Sequence, residues 1–263
     1  MDGGNFTFGG RHITEFNCFF RASKWPVSGA PILHKTTYPG RHGSIRFPGH
    51  TLKEKSYEGV LHMLDYDNGI ISDMEMMERA DEIGAWLQCD ERQPLILDAK
   101  PTKYYLGEVE SELSLEAERW TNGSMMVKFA LQPFAYAIKP ITARTALTAN
   151  SAKMIEVRLP GTAPAPINVQ VTAKAALSWL QVTCGGKFVR LENLGMSNTH
   201  KLALTAVPER YDLLEVTING NPAKTKMTKT SAEPFAAAPG RASFAVIASG
   251  ACDVEISLQA RWR

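Results

Sequence analysis

Two stretches concentrate the residues best equipped for chemistry. LILDAKPTKYYLGEVE (95–110) sets Asp98, Lys100, Lys103 and the adjacent Tyr104 and Tyr105 between apolar runs. PGRHGSIRFPGH (39–50) is basic and glycine-rich, and with His34 it holds three histidines at a spacing of eight, His34, His42 and His50. Metal ligands more often stand two or four residues apart on a fixed scaffold, with carboxylate or thiolate support. These histidines therefore read as solvated or interface residues. Glu108, Glu110 and Glu112 alternate along an extended chain and share one face. A catalytic acid pair also needs burial to part its pKa values, so a row of like charges points to solvent or a basic partner. The chain has no G-x-S-x-G elbow, and no G-x-x-x-x-G-K-[ST] loop. The basic 39–50 stretch is followed by no helix N-terminus that could complete an anion cradle. No nucleophile, acid pair, metal set or nucleotide cradle emerges, and no cofactor is expected.

The elements that must carry these residues are mostly strands. FTF, a Gly9-Gly10 turn and a strand through ITEFNCFF open the chain. YEGVLHMLDY (57–66) reads as a strand closed by Asn68-Gly69. One helix is clear: Ser72 with Glu75 three residues on predicts a capping box, and Met76, Ala80, Ile83 and Leu87 repeat at helical spacing. Pro94 bars its continuation. LILDA and YYLGEVESELSLE then form a hairpin about Lys100-Pro101-Thr102, and Asn122-Gly123 predicts a turn into SMMVKFALQPFAY. Beyond an Ala/Thr-rich link, AIKPITARTALTANS, six short strand-like runs recur, from INVQVTA to DVEISLQARW. Gly185-Gly186, Asn219-Gly220 and Pro239-Gly240 punctuate them, which predicts a β-sandwich. The expected domains are 1–140 and 141–263, divided near Pro140.

Apolar runs fall well short of the ~20 residues of a membrane-spanning helix. Met1-Asp2-Gly3-Gly4 lacks the basic start and apolar core of a secretory signal. Cys18, Cys89, Cys184 and Cys252 are too far apart for a zinc ribbon or redox pair, so reduced and mostly buried thiols are expected. The net charge of +2 argues against nucleic-acid recognition, but it hides an asymmetry. Residues 21–60 carry seven Lys/Arg against two acids, for +5; residues 61–118 carry four against fifteen, for −11. Such segregation suggests that one part meets the other within or between subunits, and two separately solvated faces remain the alternative. Residues 21–60 also hold Pro26, Pro31, Pro39 and Pro48 with little periodicity, which predicts an extended arm ordered by a partner surface. Lys24, Lys35, Arg41 and Arg46 on that arm, with Asp81, Glu82, Asp90 and Glu91 opposite, are the candidate subunit-interface residues.

The order of these features resembles the distal tail (Dit) proteins of long, flexible-tailed phages. YPGRHGSI (38–45) precedes a helix ending IGAWL (83–87); LILDAKPTKYYLGEVE follows, and GSMMVKFALQPFAYAIKP (123–140) closes the half. Pro133-Phe134-Ala135-Tyr136 matches the family's closing sequence directly, whereas the turn at Asp98-Ala99-Lys100-Pro101 is a residue or two longer. LLEVTING, PFAAAPGRASFAV and VEISLQARW resemble the closing strands of the family's second domain. The resemblance implies a mainly β protein with one principal helix. It implies an N-terminal sandwich or barrel-like ring domain and a C-terminal galectin-like sandwich. It implies a non-enzymatic virion protein at the tail tip, a homohexameric ring whose channel passes phage DNA, assembled in the host cytoplasm. The implied partners are other copies of the chain, the tail tube protein, the tail hub and other baseplate or receptor-binding components. A rival reading is a host-polysaccharide-binding adhesin that stacks sugars on Trp179 and Trp262, although core packing of both rings is the simpler expectation. A cell-wall hydrolase would need catalytic groups that the sequence does not offer.

Overall fold

The computed structural model describes residues 4–32, 35–36, 42, 45–46, 51–63, 72–118, 122–206 and 213–263. The chain is mostly β with one principal α-helix, and it divides into two compact units: Met1–Tyr136 with Arg263, and Ala137–Trp262.

The first unit is built on one large antiparallel sheet covered by the helix. Across the sheet run Arg11–His12, Phe6–Phe8, Gln93–Leu97, Lys103–Val109, Asn122–Ala137, Lys55–Met63 and Cys18–Lys24. Lys55–Met63 alternates buried and half-buried residues along its whole length. Its inward side chains, with those of Phe6–Phe8 and Asn122–Ala137, build an aromatic core. Phe6 meets Phe20 and Phe129 edge-on at 5.2 and 5.1 Å and lies parallel to Trp86 at 5.9 Å. Each such pair contributes roughly 0.5–1.5 kcal/mol beyond the burial of its area.

The helix spans Asp73–Leu87. The Ser72 hydroxyl accepts from Glu75 N–H at 3.3 Å, satisfying a donor of the first turn. Met76, Ile83, Trp86 and Leu87 form its buried stripe. The indole of Trp86 donates to the Phe8 carbonyl at 2.9 Å, which ties helix to sheet.

Several sequence expectations change here. Asn122-Gly123 is not a turn: both residues lie in the Asn122–Ala137 strand, opposite Glu118 and Ala117. Gly123 is small because the helix comes close, and a Cβ there would lie 2.8 Å from the Met76 sulfur. ITEF is a 3-10 turn, Ile13–Phe16, not a strand, because His12 and Glu15 cap it reciprocally and Asn17 ends it in the left-handed conformation. YYLGEVESELSLE is two strands, Lys103–Val109 and Leu115–Glu118.

The ends of the expected 21–60 arm belong to the sheet. Residues at both of its ends are ladder strands, since Cys18–Lys24 pairs with Lys55–Met63. Between them Pro31 bridges Leu52, and Lys35–Thr36 pairs with Ile45–Arg46. At the described residues these segments pair within the chain, with Ile32 N–H donating to the Thr51 carbonyl at 2.7 Å and Lys53 N–H to the Ala30 carbonyl at 2.8 Å. Arg41, His34, His50 and Asn68-Gly69 lie outside the described residues.

The second unit is a sandwich. One sheet runs Ile141–Leu147, Cys252–Leu258, Ala165–Ala173, Lys201–Ala206, Leu214–Ile218, Asn221–Pro222; the other runs Lys153–Leu159, Gly240–Ala248, Leu180–Cys184, Lys187–Leu191. A single hydrophobic cluster joins their inner faces, including Val169, Val171, Ile256, Val182, Phe244 and Val246. The Ala/Thr-rich link is itself an edge strand, Ile141–Leu147, fully registered against Cys252–Leu258. Gly185-Gly186 and Asn219-Gly220 make the predicted hairpin turns, each with positive φ at both residues.

Candidate subunit interface

The opening hairpin resolves as scaffold. Asp98 sits in the turn after Gln93–Leu97, its carboxylate 3.2 Å from His12 Nε2. Tyr105 is buried, while Tyr104 points the other way and stacks on Tyr136 at 5.4 Å. Burial raises the Tyr105 hydroxyl pKa, so both chemistry and geometry make it a packing residue. Among the described residues no group of three or more His, Cys, Asp or Glu could hold a metal ion.

What the first unit presents instead is two dissimilar surfaces on opposite sides of one sheet. The strand period places Phe19 and Arg21, then Glu58, Val60 and His62, then Met126 and Lys128, on the side away from the helix. Register brings them into rows. Phe19 stacks on His62 with ring centres 4.8 Å apart. Arg21, Val60 and Met126 are direct cross-strand neighbours, and Met126 is 65% exposed. The next row is ionic: Lys24 meets Glu58 at 3.0 Å, Glu58 faces Lys128 across the ladder, and Lys128 meets Glu110 at 2.9 Å. Ser56 also donates to Glu58, and this hydrogen bond, with Lys24, holds the Glu58 carboxyl below its usual pKa. Solvent screens these exposed pairs, so each contributes little to stability.

The other surface is the outward side of the helix. Met74 and Met77 are 74% and 63% exposed, and Glu78, Asp81 and Glu82 surround them. At 3.6 residues per turn these five project opposite the Met76/Ile83/Leu87 stripe. The helix carries a single cation, Arg79, whose guanidinium is 3.3 Å from Glu75.

Of the residues singled out from sequence, Lys24 is in an intrachain pair with Glu58, and Asp81, Glu82, Asp90 and Glu91 are exposed on and just beyond the helix. Lys24 and these acids are not brought together within one chain. Lys35 and Arg46 face each other in a two-residue ladder whose side chains are not among those described. Sequence reading missed Arg21, Val60 and Met126. The alternation of Lys55–Met63 could have flagged Val60, but only register shows that the three adjoin.

The second unit offers little to an aromatic-stacking sugar. Trp179 is half-buried with the Arg190 guanidinium 5.1 Å from its ring centre; Arg190 is held there by Glu192 at 2.7 Å. Trp179 is thus not a core ring, and its face is already occupied. Trp262 packs against the sandwich core. An open groove of about 400 Å³ is polar, lined by Arg144, Gln170, Thr172, Asp253 and Glu255 among others, with no aromatic ring.

No family model and no curated protein sequence matches this chain. Among solved structures it has the fold of the SPP1 Dit protein (gp 19.1), a paradigm of hub adsorption apparatus in Gram-positive-infecting phages. The match covers 97% of this chain and 98% of that one, with a TM-score of 0.70 at 13% identity.

Proposed function

We propose that this protein is a non-enzymatic structural component of a phage tail tip. In this reading the first units assemble into a homohexameric ring at the end of the tail tube, and phage DNA passes through its channel without sequence-specific recognition. The second units are galectin-like sandwiches directed outward, where they hold baseplate or receptor-binding components. The ring joins the tail tube protein above to the tail hub below. Its place is the virion, after assembly in the host cytoplasm.

One observation carries this reading: nearly the whole chain, both units together, shares the fold of a phage hub adsorption protein. Fold alone does not fix function, so the surfaces must agree with it. They do so in kind. A ring requires two different patches on each subunit, and the first unit bears two of unlike chemistry. Light scattering of the full chain at low ionic strength tests the proposal. A particle near six times the 29.0 kDa chain is the expected result. A monomer at high protein concentration overturns a self-assembling ring.

A further inference from the structure

We propose that subunits of this protein pack the outward sheet face around Arg21, Val60 and Met126 against the outward helix face around Met74, Met77 and Asp81 of a second copy. The inference rests on the ring reading and specifies which surfaces close it.

Both faces carry the mark of an uncovered interface. A soluble chain exposes single apolar residues freely, but contiguous apolar groups rimmed by charge signal a docking surface. On the sheet, register sets Val60 beside Met126, with the Phe19–His62 stack in the next row, and Met126 is 65% exposed. On the helix, Met74 and Met77 are one turn apart at 74% and 63% exposure. Unbranched methionines suit such a contact because they adapt to the surface they meet.

Charge selects a second copy as the occupant. Arg21 stands exposed in the apolar row, with no acid paired to it among the described residues. Lys24 and Lys128, by contrast, already have Glu58 and Glu110. On the helix, Glu78, Asp81 and Glu82 are likewise exposed without a cation among the described residues, the local Arg79 being engaged with Glu75. Each face therefore lacks what the other supplies. One chain cannot join them, because the helix lies on the inner side of the sheet, with Met76 against Gly123, and its free side looks away. Opposite, dissimilar and complementary faces give a head-to-tail contact, the heterologous kind that closes into rings.

A mixing experiment tests this. A single exposed ion pair is too weak to read, so each face receives two substitutions at exposed positions. Arg21→Glu with Met126→Asp disables the sheet face; Met77→Lys with Asp81→Lys disables the helix face. Native mass spectrometry of the full-length parent should show rings, and each variant alone should lose at least tenfold in ring fraction. Mixed one to one, the variants still share one intact pair of faces and should form a 1:1 heterodimer that cannot extend. Far-UV circular dichroism monitors folding, and Arg21→Gln with Met126→Gln, or Met77→Gln with Asp81→Asn, replaces any variant that unfolds. A parent that stays monomeric defeats the ring and this interface together. Rings formed equally by both variants leave the ring standing and overturn this interface. So does a mixture of folded, monomeric variants that yields no heterodimer, or a helix-face variant that still dimerises through its sheet.

Discussion

Lys55 occupies an inward position of the Lys55–Met63 strand, on the side that otherwise carries Tyr57, Leu61 and Met63. It is only 5% exposed, and its ammonium lies 5.7 Å from the centre of the Tyr105 ring. No acid pairs with it among the described residues, and the charge that bears on its proton is another cation, Lys100. Burial, reinforced by Lys100, lowers its pKa from 10.5 to about 8. The folded protein thus binds this proton less tightly than the unfolded chain. Stability should rise with pH between about 8 and 10.5 and be flat below, where both states are protonated. At about 1.36 kcal/mol for each pH unit, the fall bounds the penalty at roughly 3 kcal/mol, and the ring contact offsets part of it. Lys55→Met keeps the aliphatic stem and removes the charge. It should stabilise the first unit by about 1–3 kcal/mol at pH 7, with the gain shrinking toward zero by pH 10.5. Urea unfolding at both pH values, read by hydrogen exchange at amides of the Lys55–Met63 ladder, measures this. A loss of stability at pH 7, or a gain independent of pH, would refute the argument.

Trp86→Phe should cost about 1–3 kcal/mol by leaving the Phe8 carbonyl without its indole donor, and Trp86→Ala about 3–5 kcal/mol; equal stabilities for Phe and Trp in chemical denaturation would mean that the hydrogen bond contributes nothing. Gly123→Val should displace the helix from the sheet and cost about 1–3 kcal/mol, since even a Cβ meets Met76 and Leu115 at 2.8 and 2.9 Å; an unchanged denaturation midpoint would contradict that packing. In native protein a thiol reagent should label Cys89 first, because Cys18, Cys184 and Cys252 are buried and burial pushes the Cys18 thiol up to about 12; mass spectrometry that finds Cys18 labelled first would contradict the core assignment. Residues 137–262 expressed alone should give dispersed amide spectra, as one hydrophobic cluster lies wholly within them; a collapsed spectrum would show that the unit depends on the rest of the chain.

Local signals carried the helix and most strands. Ser72, Glu75 and the Met76/Ile83/Leu87 stripe mark the helix because capping and amphipathic period act within a few residues. Gly185-Gly186 marks its hairpin for the same reason. The errors came where a distant contact decides. Asn122-Gly123 has turn chemistry, but the glycine answers to Met76, 47 positions earlier. Ile141–Leu147 looks like a link because an edge strand needs few large apolar residues, and its partner lies more than a hundred residues on. Residues 21–24 and 58–60, at the ends of the 21–60 segment, show no pairing in the sequence because their ladder joins positions over thirty residues apart. The candidate interface suffered most. Single residues such as Asp81 and Glu82 were visible as acids, but the row of Arg21, Val60 and Met126 exists only through the register of three strands. Lys24, legible as a basic arm residue, proves to be neutralised by Glu58 within its own chain.

Electron micrographs of the purified full-length chain test the central claim most directly. Top views should show a closed six-membered ring around an open channel, with the second units projecting at its rim. Single two-unit particles, or open filaments and two-fold dimers in place of rings, would contradict the assignment of this chain as a ring-forming tail-tip component.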